Sequence, residues 1–122
     1  MVVKDFIFSI TNRNIKYNKN VVPYLSKLNR KELIDIYNFI AQSQKIFGKF
    51  VNLHIELRHD EDQFCLIYST REYTDNVFNS VDYIMQQYPQ ELTNSNIWIP
   101  ILTDFAPIDY ILEFEECHLS LN

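Results

Sequence analysis

The sequence predicts an α+β fold: an antiparallel sheet with two helices packed on one face, in a ferredoxin-like β-α-β-β-α-β order with an extra C-terminal strand. Three observations lead there. Leu33, Ile36, Tyr37, Ile40, Ile46 and Phe47 recur at helical spacing. Val51, Leu53, Ile55 and Leu57 alternate with Asn52, His54, Glu56 and Arg58, the period of a strand with one buried face. A four-residue polar link, His59 to Asp62, joins that run to a second β-rich run at Phe64 to Ser69, short enough only for an antiparallel hairpin.

The remaining elements follow in chain order. Val2 to Ile10 is β-branched and aromatic and reads as a strand. A turn follows, then a short strand near Ile15–Tyr17 and a helical turn at Pro23. Asn29 opens the strongest helix, 29–47. Its side chain can accept from the first turn, and Glu32 stands three residues on, as in a capping box. Gly48, the sole glycine, follows Phe47 and suits a left-handed helix end. Thr74 or Asp75 caps a second helix with the stripe Val77, Phe78, Val81, Ile84, Met85 and Tyr88, which Pro89 stops. Asn94 to Asn96 form a loop, Ile97 to Leu102 a short apolar strand, Asp104 to Pro107 a turn, and Ile108 to Leu121 a last strand.

The length of 122 residues suits one domain spanning 1–122, with enough apolar residues for a core. Charges interrupt the apolar start Met1 to Phe8, unlike a signal peptide, and no apolar run is long enough to span a bilayer. A cytoplasmic location is therefore expected, with Cys65 and Cys117 as buried free thiols. Abundant Ile, Asn, Lys and Tyr follow AT-rich codons, compatible with a mobile bacterial gene.

Charge is divided along the chain. Residues 1–50 hold nine Lys/Arg against three Asp/Glu, and residues 51–122 hold two against thirteen, so +6 and −11 give the net −5. Asp60, Glu61 and Asp62 cluster at the hairpin tip, and Asp109, Glu113, Glu115 and Glu116 near the C-terminus. Such an acidic surface is either simply solvated or meets a basic partner, where complementary charge speeds encounter and selects partners. Trp98, beside Pro100, is either core among Ile97, Ile99 and Ile101 or an interface anchor.

Catalytic signatures are lacking. One glycine cannot build a phosphate-cradling loop or a nucleophile elbow. His54, Cys65, Cys117 and His118 lack zinc-ligand spacing, and no cofactor is expected. In size, acidic balance and absence of motifs, the chain resembles the bacterial immunity proteins that neutralise polymorphic toxins. That likeness is one of general character and transfers no residue roles. It implies a non-enzymatic, antitoxin-like inhibitor that meets a cationic toxin domain, such as a nuclease, through Asp60, Glu61, Asp62, Trp98, Asp109, Glu113, Glu115 and Glu116. The alternatives are a small nucleic-acid-binding protein using Arg13, Lys16, Lys19, Lys27, Arg30 and Lys31 with Tyr17 and Tyr24, or a metal-free hydrolase built on His54 and His118.

Overall fold

The computed structural model describes residues 1–48, 54–71 and 74–105. Its elements are α1 (Val3–Asn12), β1 (Ile15–Tyr17), α2 (Val21–Ser26), α3 (Arg30–Phe47), β2 (His54–Asp60), β3 (Gln63–Thr70), α4 (Asp75–Gln86), α5 (Gln90–Asn94) and β4 (Ile101–Phe105).

The four strands form one sheet in the order β1-β2-β3-β4. The central pair is the expected antiparallel hairpin, with Leu57 opposite Leu66 and Asp60 opposite Gln63. Both outer pairs are parallel, Ile15 lying beside Ile55 and Leu66 beside Ile101. The ferredoxin-like, all-antiparallel expectation is corrected accordingly. Each parallel pair needs a crossover, supplied by α2 and α3 on one side and by α4 and α5 on the other.

The register decides which face is buried. Ile15, Ile55, Leu57, Leu66, Tyr68 and Ile101 share one parity across the ladders. All belong to the core, with Phe6 and Ile10 of α1, Leu25 of α2, Ile36 and Ile40 of α3, Val77 and Ile84 of α4 and Leu92 of α5. The helices therefore cover a single face. The two crossovers step the same way across the sheet while their strands run oppositely, so they have opposite hands. One of them is of the left-handed kind that strand twist disfavours.

The most instructive correction concerns Val2 to Ile10, which is a helix rather than a strand. Val3, Phe6, Ile7 and Ile10 stand at i, i+3, i+4 and i+7, and Phe6 and Ile10 are fully buried. Periodicity overrides β-propensity there, leaving Phe8 67% exposed. The capping box of α3 forms as expected: Asn29 Oδ1 accepts from Glu32 N at 2.8 Å, and Asn29 N donates to Glu32 Oε1 at 2.9 Å. Gly48 ends that helix but keeps a right-handed φ of −59°, not the left-handed one expected. Its missing Cβ relieves a close approach to the Gln44 carbonyl, 3.3 Å from where that carbon would sit.

The second half differs more. Thr74 is the N-cap of α4 without a side-chain capping bond, and Phe78 points outward instead of joining the apolar stripe. The helical turn α5, Gln90–Asn94, fills positions given no element from sequence and overlaps the expected loop only at Asn94. β4 begins at Ile101 and takes in Asp104, so Ile97–Pro100 precede the strand rather than form it. Cys65 is a buried free thiol. The expected strand over Ile108 to Leu121, with Cys117, lies outside the described residues.

One polar contact is sealed inside the core. Ser43 of α3 donates to the Ile40 carbonyl at 2.8 Å, so its oxygen accepts from the buried Tyr68 hydroxyl at 2.5 Å. Tyr68 also stacks on Phe47, with ring centroids 4.0 Å apart. Ser43→Ala strands the phenol without a partner and should cost about 1–3 kcal/mol, whereas Tyr68→Phe leaves Ser43 bonded to Ile40 and should cost about 0.5–1.5 kcal/mol. Urea denaturation of the two variants and their double mutant checks this ranking.

Candidate binding surface at the hairpin end of the sheet

Strand direction gathers several features at one end. β1 and β2 finish there and β3 and β4 begin there, so the segments 18–20, 60–62 and 97–100 lie at the same end of the sheet. Of the residues picked out by sequence, Asp60, Glu61, Asp62 and Trp98 fall at this end. Asp109, Glu113, Glu115 and Glu116 lie outside the described residues.

Asn18 secures the tip. After β1 stops, its backbone N–H donates to the Leu57 carbonyl at 3.3 Å. Its side-chain amide then imitates one further strand residue. Asn18 Oδ1 accepts from His59 N at 3.0 Å, and Nδ2 donates to the His59 carbonyl at 3.2 Å and to Asp60 Oδ1 at 3.0 Å. The hairpin thus turns tightly through Glu61 and Asp62, with Glu61 at a left-handed φ of 54°.

The three tip carboxylates differ. Asp60 accepts from Arg58 Nε at 2.8 Å, and the same guanidinium reaches Glu56 Oε1 at 2.6 Å. The Arg58 hydrogen bond holds the Asp60 carboxyl below its ordinary range, whereas burial lifts Glu56 above it against the pull of Arg58. Glu61 and Asp62 are exposed, and among the described residues neither has an ion pair or hydrogen bond through its side chain. They line a shallow hollow with Asn20, Pro23, Tyr24, Lys27 and His59. Tyr24 stacks on His59 at 4.8 Å and on Phe64 at 4.5 Å between centroids.

Trp98 reaches the surface from the neighbouring segment. Ile97 and Ile99 are 3% and 0% exposed, while Trp98 between them is 59% exposed. The core placement weighed from sequence therefore does not hold: its flanking isoleucines take the inside, and alternation turns the indole out. The Tyr88 hydroxyl fixes this arrangement by donating to the Ile97 carbonyl at 2.9 Å and accepting from Ile99 N at 2.8 Å. Burial, opposed by the Ile99 hydrogen bond and aided by nearby Tyr24, pushes the Tyr88 phenol up to about 12. The Tyr88 ring packs 4.5 Å from the indole and 5.0 Å from Phe39.

Three of the six residues of the basic segment have assigned neighbours. Arg13 is committed to Tyr37 and Gln44 at 2.8 and 3.2 Å, Lys31 to Asp35 at 2.9 Å, and Lys16 lies on the sheet beside Glu56. His54 opens β2 opposite Ser69, and His118 lies outside the described residues. Among the described residues no group of three His, Cys, Asp or Glu could hold a metal ion, and no helix is long and apolar enough to cross a membrane. Sequence reasoning passes over Asn18, and it places Tyr24 only in the basic segment and Tyr88 only in a helical apolar stripe. Only the placement of Asn18 at a predicted strand end hinted at a role. Comparison with family models, curated proteins and solved structures gives no match.

Two outcomes test this electrostatic arrangement. Asn18→Ala should lower stability by about 1–3 kcal/mol, measured by denaturation, because it leaves part-buried backbone groups of His59 unpaired. In an NMR titration Asp60 should titrate below and Glu56 above their ordinary values, and Arg58→Met should move both upward. The linkage signs oppose each other. Asp60 contributes stability above its unfolded value and loses it as pH falls through its depressed folded value. Glu56 is most favourable below its unfolded value and becomes costly as pH rises through its raised folded one.

Proposed function

We propose that this chain is a non-enzymatic, protein-binding inhibitor, a bacterial immunity- or antitoxin-like protein of the cytoplasm. It neutralises a cationic toxin domain, in the first instance a nuclease, by occluding it with an acidic surface. The observation that carries this reading is the pair Glu61 and Asp62, exposed and, among the described residues, without an ion pair on a braced hairpin tip. Asp60 shapes the tip more than it offers charge, being engaged by Arg58 and Asn18.

The mechanism is electrostatic. A nuclease groove is positive because it holds phosphates. Carboxylates carried on a rigid hairpin attract it over a distance of about a Debye length, ~10 Å at 0.1 M salt, and then stand where substrate would. The inhibitor needs no cofactor for this. Glu61 also sits at a position that suits Gly, Asn or Asp, and a Glu there costs about 1 kcal/mol of backbone strain. A long carboxylate at such a site is consistent with use of its charge rather than with stability.

Glu61→Asn therefore separates the two roles. It should raise stability by up to about 1 kcal/mol in denaturation while weakening binding to a cationic nuclease domain encoded beside this gene. Glu61→Lys with Asp62→Lys should slow association about tenfold or more at low salt, measured by stopped flow. Undiminished inhibition by the double lysine variant would overturn the acidic-surface mechanism.

A further inference from the structure

Trp98 poses a physical question that the acidic tip does not answer. Leaving an indole 59% exposed forgoes part of the hydrophobic gain of burying it, although Ile97 and Ile99 on either side are buried. The side chain is also not loose. Tyr88 bonds the backbone before and after it and packs its ring against the indole. An ordered, amphipathic ring that loses little entropy on binding suits an interface anchor.

The anchor and the tip belong to one surface. Leu66 N donates to the Pro100 carbonyl at 3.1 Å, which ties the Trp98 segment to β3 three residues from Gln63 of the hairpin. Phe64, between them in β3, stacks on Tyr24, which lines the hollow containing Glu61 and Asp62. The exposed indole, joined through Tyr88 to nearby Tyr24, and two carboxylates with no ion pair among the described residues, though Lys27 lines their hollow, therefore lie at the same end of the sheet.

We infer that the partner of this surface is a protein carrying an apolar cleft flanked by Lys or Arg side chains: the cleft receives Trp98, the cations meet Glu61 and Asp62, and Tyr88 is the positioning residue for the indole. The inference rests on the protein-binding reading above and deepens it by giving the partner's chemistry. Charge alone would serve any polycation. A fixed indole beside the charge restricts the partner to one whose basic patch borders an apolar recess.

Trp98 is the sole tryptophan, so its emission reports directly on this contact. The full chain is titrated with three synthetic peptides of equal length: alternating Lys/Leu, all Lys, and alternating Glu/Leu. The Lys/Leu peptide should bind tightest and shift the emission to the blue, and Glu61→Gln with Asp62→Asn should abolish this binding. Tyr88→Phe should loosen Trp98 in an anisotropy decay and weaken Lys/Leu binding several-fold, yet leave all-Lys binding unchanged. A global structural defect would weaken both. Equal binding of the all-Lys peptide without a blue shift overturns the Trp98 surface and leaves the acidic reading standing. Failure of both cationic peptides overturns both readings. Equal binding of the Glu/Leu peptide overturns the charge-matched partner.

Discussion

Backbone groups at the end of a β-sheet must be paired or hydrated, and at the hairpin end of this sheet two side chains do the pairing. Asn18 extends the β1–β2 ladder by one step after β1 has ended. Tyr88 bonds both sides of the residue that precedes Ile99 before β4 begins. Without the first, the tip would be a loosely tethered turn. Without the second, Trp98 would sit on an unanchored segment. The candidate surface is rigid because polar atoms that could have faced water are spent on neighbouring backbone.

That rigidity depends in turn on one-sided burial. The row Ile15, Ile55, Tyr68 and the parallel row Leu57, Leu66, Ile101 fix the register, since a slip of one residue would turn apolar side chains away from the helices. Tyr68 brings a hydroxyl into this layer and is tolerated because Ser43 accepts from it. With the register fixed, the direction of each strand determines which loops share an end, and the loops at 18–20, 60–62 and 97–100 lie at one end.

How much of this was legible in the sequence depended on whether the signal was local. The helix 30–47, its Asn29–Glu32 cap, the hairpin and the start of α4 were readable because period and capping chemistry are properties of short segments. The opening helix reads as a strand by residue type, because Phe6, Ile7 and Ile10 are strand-favouring, and only their helical spacing reveals it. The parallel outer pairs were not readable at all: β1 has three residues, and nothing in Ile15–Tyr17 encodes which neighbour it takes or in which sense. The acidic tip was found from charge alone, but the engagement of Asp60 by Arg58 and the outward turn of Trp98 arise from cross-strand geometry. Asn18 and Tyr88 carried no motif, because their partners are backbone atoms distant in sequence or held by the fold.

Amide hydrogen exchange on the unmodified chain tests most directly whether side chains brace this end. The account predicts that the His59 and Ile99 amides exchange as slowly as amides in the interior of β3, while the Glu61 amide at the tip exchanges rapidly. Exchange of His59 and Ile99 at the rate of Glu61 would contradict it, since the two segments would then be free loops and neither the carboxylates nor the indole would be held in place.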